Sequence, residues 1–166
     1  MPSPTTKQTS SQTTSPTITP LRKGACKTLE GQGKLDYELG TDDHGDLHWR
    51  ITRNSGGGFF SDEWVSFSSI RSALEEWPQA RPMTSLVLRS LFKGRSANNP
   101  SFLLATLLAE GVVTLLEGRR RQYAKSDLDA FLASTLAARH KKTQQGSPTA
   151  KQANPRRMRG KRMPAA

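Results

Sequence analysis

Apolar residues first fall into a regular pattern at Lys34-Leu35-Asp36-Tyr37-Glu38-Leu39, where Leu35, Tyr37 and Leu39 share one face. A period of two predicts a half-buried strand. Asp42-Asp43-His44-Gly45-Asp46 supplies turn chemistry. Alternation resumes with Leu47, Trp49 and Ile51 on one face and His48 and Arg50 on the other, so the two runs predict an antiparallel hairpin. Asn54-Ser55-Gly56-Gly57-Gly58 breaks the pattern, and the stretch from Phe59 to Phe67 predicts a third strand with a kink. Ser68 or Ser69 then caps a predicted helix running to Trp77, with Ile70, Ala73, Leu74 and Trp77 on one face. Pro78 and Pro82 close it.

The second half changes to a helical period. Leu86, Val87, Leu88, Leu91 and Phe92 form an apolar face ending at Gly94, and Arg95 to Pro100 predicts a turn. Ser101 to Glu110 predicts a very apolar helix stopped by Gly111. Val112 to Leu116 predicts a strand, Glu117-Gly118-Arg119-Arg120-Arg121 a basic turn, and Gln122-Tyr123-Ala124 the returning strand. Ser126 caps a last predicted helix, from Asp127 to Arg139, that buries Leu128, Phe131, Leu132 and Leu136. Asp127 and Asp129 in its first turn suit the helix dipole. The fold class expected is α+β.

Composition sets the ends apart. Hydrophobic residues make up 34% of the 166, and the deficit is concentrated at the two ends. Residues 1–20 are almost all Ser, Thr, Pro and Gln, and 143–166 contain no Leu, Ile, Val or aromatic residue. Such segments bury too little apolar surface to offset the entropy of ordering. The division expected is a disordered arm over 1–32, a small antiparallel β-meander plus helix over 33–80, a helix and hairpin module over 81–142, and a disordered basic tail over 143–166.

Charge is as uneven as hydropathy. The net charge of +11 divides into +3 over 1–33, −5 over 34–80, +7 over 81–142 and +6 over 143–166. A basic half of this kind concentrates polyanions and favours phosphate backbones, so the partner expected is nucleic acid, double-stranded DNA in particular. The tail cluster Arg156, Arg157, Arg159, Lys161 and Arg162 suits non-specific phosphate contact. The single cysteine, Cys26, has no internal partner, which points to a reducing compartment. No apolar run approaches a membrane span and the N-terminus has no secretory pattern. The expectation is a cytoplasmic protein, nucleoid-associated in a bacterial host, with no membrane partner.

Over residues 107–132 the chain resembles the small excisionase-type, MerR-like winged-helix domains. The residues that carry the resemblance are Leu107-Leu108-Ala109-Glu110-Gly111-Val112-Val113, then Gly118-Arg119-Arg120-Arg121-Gln122-Tyr123, then Lys125-Ser126-Asp127-Leu128-Asp129-Ala130-Phe131-Leu132. The resemblance implies that 81–142 is a winged helix-turn-helix. Its wing would carry Arg119, Arg120 and Arg121, with Lys125 beside them. It also implies that Arg95, Asn98, Asn99, Ser101 and Thr106 approach the DNA groove. The turn Gly94 to Pro100 is longer than that family's, and Ser101 and Thr106 are the only base-reading side chains across Ser101 to Thr106. Backbone and shape contacts would then outweigh base readout.

Other signals are weaker. Trp49, Phe59, Phe60 and Trp64 could stack bases in the manner of the coactivator-type single-strand binders, but the acidic surroundings favour a core role. Asp42, Asp43, His44, Asp46 and His48 crowd one hairpin, where turn geometry already accounts for them, so no metal is expected. Gly56-Gly57-Gly58 lacks the Gly-Lys-Ser/Thr of a phosphate loop. With no nucleophile and base pairing legible, neither enzyme activity nor a cofactor is expected. The reading is a DNA-binding accessory or regulatory protein, of the kind carried by mobile elements or used in transcription regulation. The alternative is a protein-interaction adaptor, or an RNA binder, whose acidic sheet and apolar helix hold a protein partner or a second copy.

Overall fold

Strand structure begins earlier than the apolar pattern predicts. The computed structural model describes residues 16–144, with side chains through residue 138. Its first strand, β1, spans Thr19–Lys27, within the stretch expected to be an unstructured arm. β2 spans Lys34–Thr41, β3 Leu47–Asn54 and β4 Val65–Ser66. They form one antiparallel sheet in the order β1-β2-β3-β4. The register sets Arg22 opposite Leu39, Gly24 opposite Tyr37 and Cys26 opposite Leu35. These β1 residues are small or polar because the inner face is already occupied. A Cβ on Gly24 would lie 2.6 Å from Tyr37 Cε2. The Tyr37 ring fills the space an apolar β1 residue would take, so β1 shows no hydrophobic alternation.

The expected third strand is also different. β4 is two residues long, and 55–64 is irregular. Gly57 and Gly58 take φ values of 75° and 88°, closed to most L side chains, in keeping with the break expected there. The Phe59 carbonyl accepts from Ser96 Oγ at 2.5 Å and from Asn98 Nδ2 at 3.2 Å. The Ser61 N–H donates to Asn99 Oδ1 at 3.0 Å. These backbone groups are satisfied by a distant turn instead of a strand ladder.

Helix α1 spans Phe67–Glu76. Its cap is Ser66, whose Oγ accepts from the Ser69 N–H at 3.2 Å, so Ser68 and Ser69 lie inside the first turn. Ser85–Phe92 winds as a 3₁₀ helix capped by Thr84 and buries Val87, Leu88 and Phe92. Helix α2 spans Asn99–Ala109, starting two residues before the expected position because Pro100 fits the first turn. Gly111, at φ 76°, ends it as predicted. β5 (Val113–Leu115) and β6 (Tyr123–Lys125) form a separate antiparallel hairpin. Helix α3 spans Leu128–Gln144. Its start is capped by the Asp127 carboxylate, which accepts from the Asp129 and Ala130 N–H groups at 3.1 and 2.9 Å, and not by Ser126.

The protein is α+β, and its two expected modules share a core. Leu35, Leu39 and Trp49 from the sheet, Ile70 and Leu74 from α1, Leu88 from the 3₁₀ helix, and Leu103, Leu104 and Leu107 from α2 are essentially inaccessible and belong to one cluster. Each such side chain contributes about 1.5–3 kcal/mol on burial. Trp49 stacks on Tyr37 at 6.0 Å, and Phe131 of α3 stands 6.1 Å from Trp49 and 5.4 Å from Phe67.

Candidate nucleic-acid interface

The basic hairpin is built by two left-handed residues. Gly118 takes φ 67° and Arg121 φ 59°. The Leu116 N–H donates to the Gln122 carbonyl at 2.9 Å, and the Arg119 N–H to the Leu116 carbonyl at 3.1 Å. This closes a tight tip on which Arg119, Arg120 and Arg121 are all exposed. Arg121 reaches Glu30 Oε1 at 3.0 Å, in a pair that is open to solvent. Among the described residues, no carboxylate lies within 4 Å of Arg119, Arg120 or Lys125. Arg119 and Lys125 line a hollow of about 470 Å³ together with Arg81, which is likewise free of a carboxylate partner there.

The expected groove-facing residues divide. Asn98 is exposed but its amide is engaged with the Phe59 carbonyl, and Arg95 pairs with Glu63 at 3.2 Å. Ser101 is half-buried and donates to the Asn98 carbonyl at 2.8 Å. Asn99 and Thr106 are corrected outright, being 1% and 0% exposed. Thr106 Oγ1 donates back to the Leu103 carbonyl at 2.7 Å, and Asn99 Oδ1 holds Ser61. The cause lies in packing. α2 rests on β1, β2 and β3 on one side and on the 3₁₀ helix on another. Within Asn99–Ala109 only Ala109 is exposed, so α2 has no free face to enter a groove. The tail residues Arg156, Arg157, Arg159, Lys161 and Arg162 lie outside the described residues.

Sequence reasoning missed Arg81, Arg89 and Lys93. Arg89 and Lys93 edge a groove of about 660 Å³ beside the 3₁₀ helix, and neither has a carboxylate within 4 Å among the described residues. The signal in the sequence was weak, two cations at the end of an apolar segment in which Val87, Leu88 and Phe92 are buried.

Several of the sheet's charges are engaged with neighbouring groups. Glu38 meets Arg50 at 2.6 Å and Lys23 at 3.0 Å, and its carboxyl is held below the usual range by Arg50 first and Lys23 second. Glu110, at the end of α2, accepts from Tyr37 Oη at 2.5 Å and from Arg22. Burial, then the negative charges of Glu110 and Asp36, pushes the Cys26 thiol up to about 11. The thiol is therefore protonated at neutral pH and a poor nucleophile. Asp42 accepts from the His44 and Asp46 N–H groups and sits 3.2 Å from His48 Nε2, so the acidic turn is engaged with its own backbone. Among the described residues no helix is long and apolar enough to cross a membrane. No protein-family model, no curated protein and no solved structure matches the chain.

Proposed function

We propose that this protein binds nucleic acid, double-stranded DNA first, as an accessory or regulatory factor that grips phosphates with the hairpin tip. The observation that carries this reading is the separation of charge. Among the described residues the cations without a carboxylate partner are Lys27, Arg53, Arg81, Arg89, Lys93, Arg119, Arg120 and Lys125, six of the eight in the second half, while Glu38 of the acidic half is neutralised by Arg50 and Lys23. Free guanidinium groups on a projecting turn suit phosphates, which position a protein without specifying sequence. Burial of α2 removes base readout through that helix, so discrimination between sequences rests on DNA shape and deformability.

The test is a salt series with a random-sequence duplex. Replacing Arg119, Arg120 and Arg121 together with Ala is expected to lower affinity and to flatten the slope of log affinity against log salt by up to about 3. The three side chains are exposed, so the thermal midpoint should hardly move. Unchanged affinity and slope would remove the hairpin from the interface.

One observation favours the adaptor reading. Leu115 and Leu116, on the same hairpin, are 54% and 38% exposed. Neighbouring exposed leucines are suited to a protein surface. Replacing both with Ser separates the readings: DNA affinity is retained under the first, whereas partner capture or self-association is lost under the second.

A further inference from the structure

Phe59 is 89% exposed. Isolated apolar residues are ordinary on protein surfaces. The backbone at and after this one, however, is held in place. Its carbonyl accepts from Ser96 and Asn98, the Ser61 N–H is held by Asn99, and Glu63 binds Arg95. The glycine loop is thus clamped to the turn over 95–99 while the ring remains in water. The same turn forms one wall of the groove beside the 3₁₀ helix, where Leu86, Phe92 and Pro100 supply apolar surface and Arg89 and Lys93 supply charge.

We propose that Phe59 and this groove form a site for single-stranded nucleic acid, with a base stacked on the Phe59 ring and the adjoining phosphates along Arg89 and Lys93. The proposal rests on the nucleic-acid reading above, but it uses a surface other than the hairpin tip. An exposed aromatic ring on a loop held to one wall of a cationic groove is chemistry suited to an unpaired nucleotide, because every base has a π-face and every linkage a negative charge. A duplex keeps its base faces stacked inside, so Phe59 discriminates in favour of unpaired bases. Prior ordering of the loop means that binding does not have to order it. Glu63 neutralises Arg95, and Asp62 adds negative charge nearby, which leaves the Arg89 and Lys93 side for phosphates.

The experiment uses the full chain with an oligothymidylate containing one 2-aminopurine, and separately a blunt duplex, both at low salt. F59A is expected to lose about 10-fold or more in single-strand affinity, together with the 2-aminopurine quench, while duplex affinity is unchanged. R89A/K93A is expected to weaken single-strand binding and flatten its salt slope. Phe59 packs on little, so circular dichroism of F59A should match the parent. If F59A quenches and binds the single strand as the parent does, while the duplex still depends on Arg119, Arg120 and Arg121, the Phe59 site is wrong and the hairpin reading stands. If the full chain binds neither ligand, both fail. If polyglutamate displaces the oligonucleotide as well as oligothymidylate does, the groove recognises an acidic peptide and stacking is refuted.

Discussion

At the residue scale, three positions decide more than their neighbours. Gly24 must lack a side chain because the Tyr37 ring lies against it, and Tyr37 in turn holds Glu110 at the end of α2. Gly24→Val is expected to cost about 1–3 kcal/mol by overpacking, read as a lower thermal midpoint. Arg121 occupies the left-handed region, where an L side chain is strained and glycine is not. Arg121→Gly should therefore leave stability unchanged or raise it by up to about 1 kcal/mol while weakening duplex binding. Strain retained at an exposed residue points to use of its side chain. Glu38 has a folded-state pKa held below its unfolded value by Arg50 and Lys23. Its contribution is present above the unfolded pKa and is lost as pH falls through the folded one. The stability that Glu38 contributes should thus decline as pH falls through and below the ordinary glutamate range. Glu38→Gln should lower stability at neutral pH and make that acid limb shallower, as followed by fluorescence across a pH series.

At the element scale, periodicity was informative where an element faces one neighbour and uninformative where it faces several. β2 and β3 alternate in sequence and are strands as expected. β1 does not alternate, because it contributes Gly24 and Cys26 to a face filled by Tyr37 and Leu35. The run from Phe59 to Phe67 has strand-like composition, but only Val65–Ser66 pairs in the sheet, and Phe59 and Ser61 are held instead by Ser96, Asn98 and Asn99, more than thirty residues away. α2 is apolar nearly all round. The resemblance gives it a surface role, whereas a helix so apolar is normally buried on every side, and the structure buries it. Arg119, Arg120 and Arg121 were legible as an exposed turn because Gly118 and the charge run are local signals. Arg89 and Lys93 were not, since their exposure depends on which face of the 3₁₀ helix meets α2.

At the scale of the whole molecule, the expected boundary near residue 80 does not separate two cores. Leu88, Leu103 and Leu107 from the second half pack in one cluster with Leu35, Leu39 and Trp49 from the first. Fragments covering 16–80 and 81–144 should each be largely unfolded alone by circular dichroism, and the joined chain should unfold in one cooperative transition. Two separate transitions would refute a shared core. Charge behaves differently from packing at this scale. Within the acidic half Glu38 is paired across β1, β2 and β3, and most of the cations without a carboxylate partner among the described residues lie at the hairpin and beside the 3₁₀ helix, with +6 more in the sequence of residues 143–166.

The sequence alone determined the α+β class, the hairpin of β2 and β3, the glycine stop after α2, the Gly-Arg-Arg-Arg turn and the uneven charge. Each depends on neighbours within a few residues, where backbone preference and side-chain period act directly. Only the tertiary structure decided that β1 is a strand, that 55–64 leaves the sheet, that Asn99 and Thr106 are buried, and that Phe59 stands exposed with its carbonyl held by Ser96 and Asn98. Those outcomes turn on which distant group satisfies a backbone N–H or fills a space on the sheet. Pairings of that kind join residues far apart in the chain, and no local pattern encodes them.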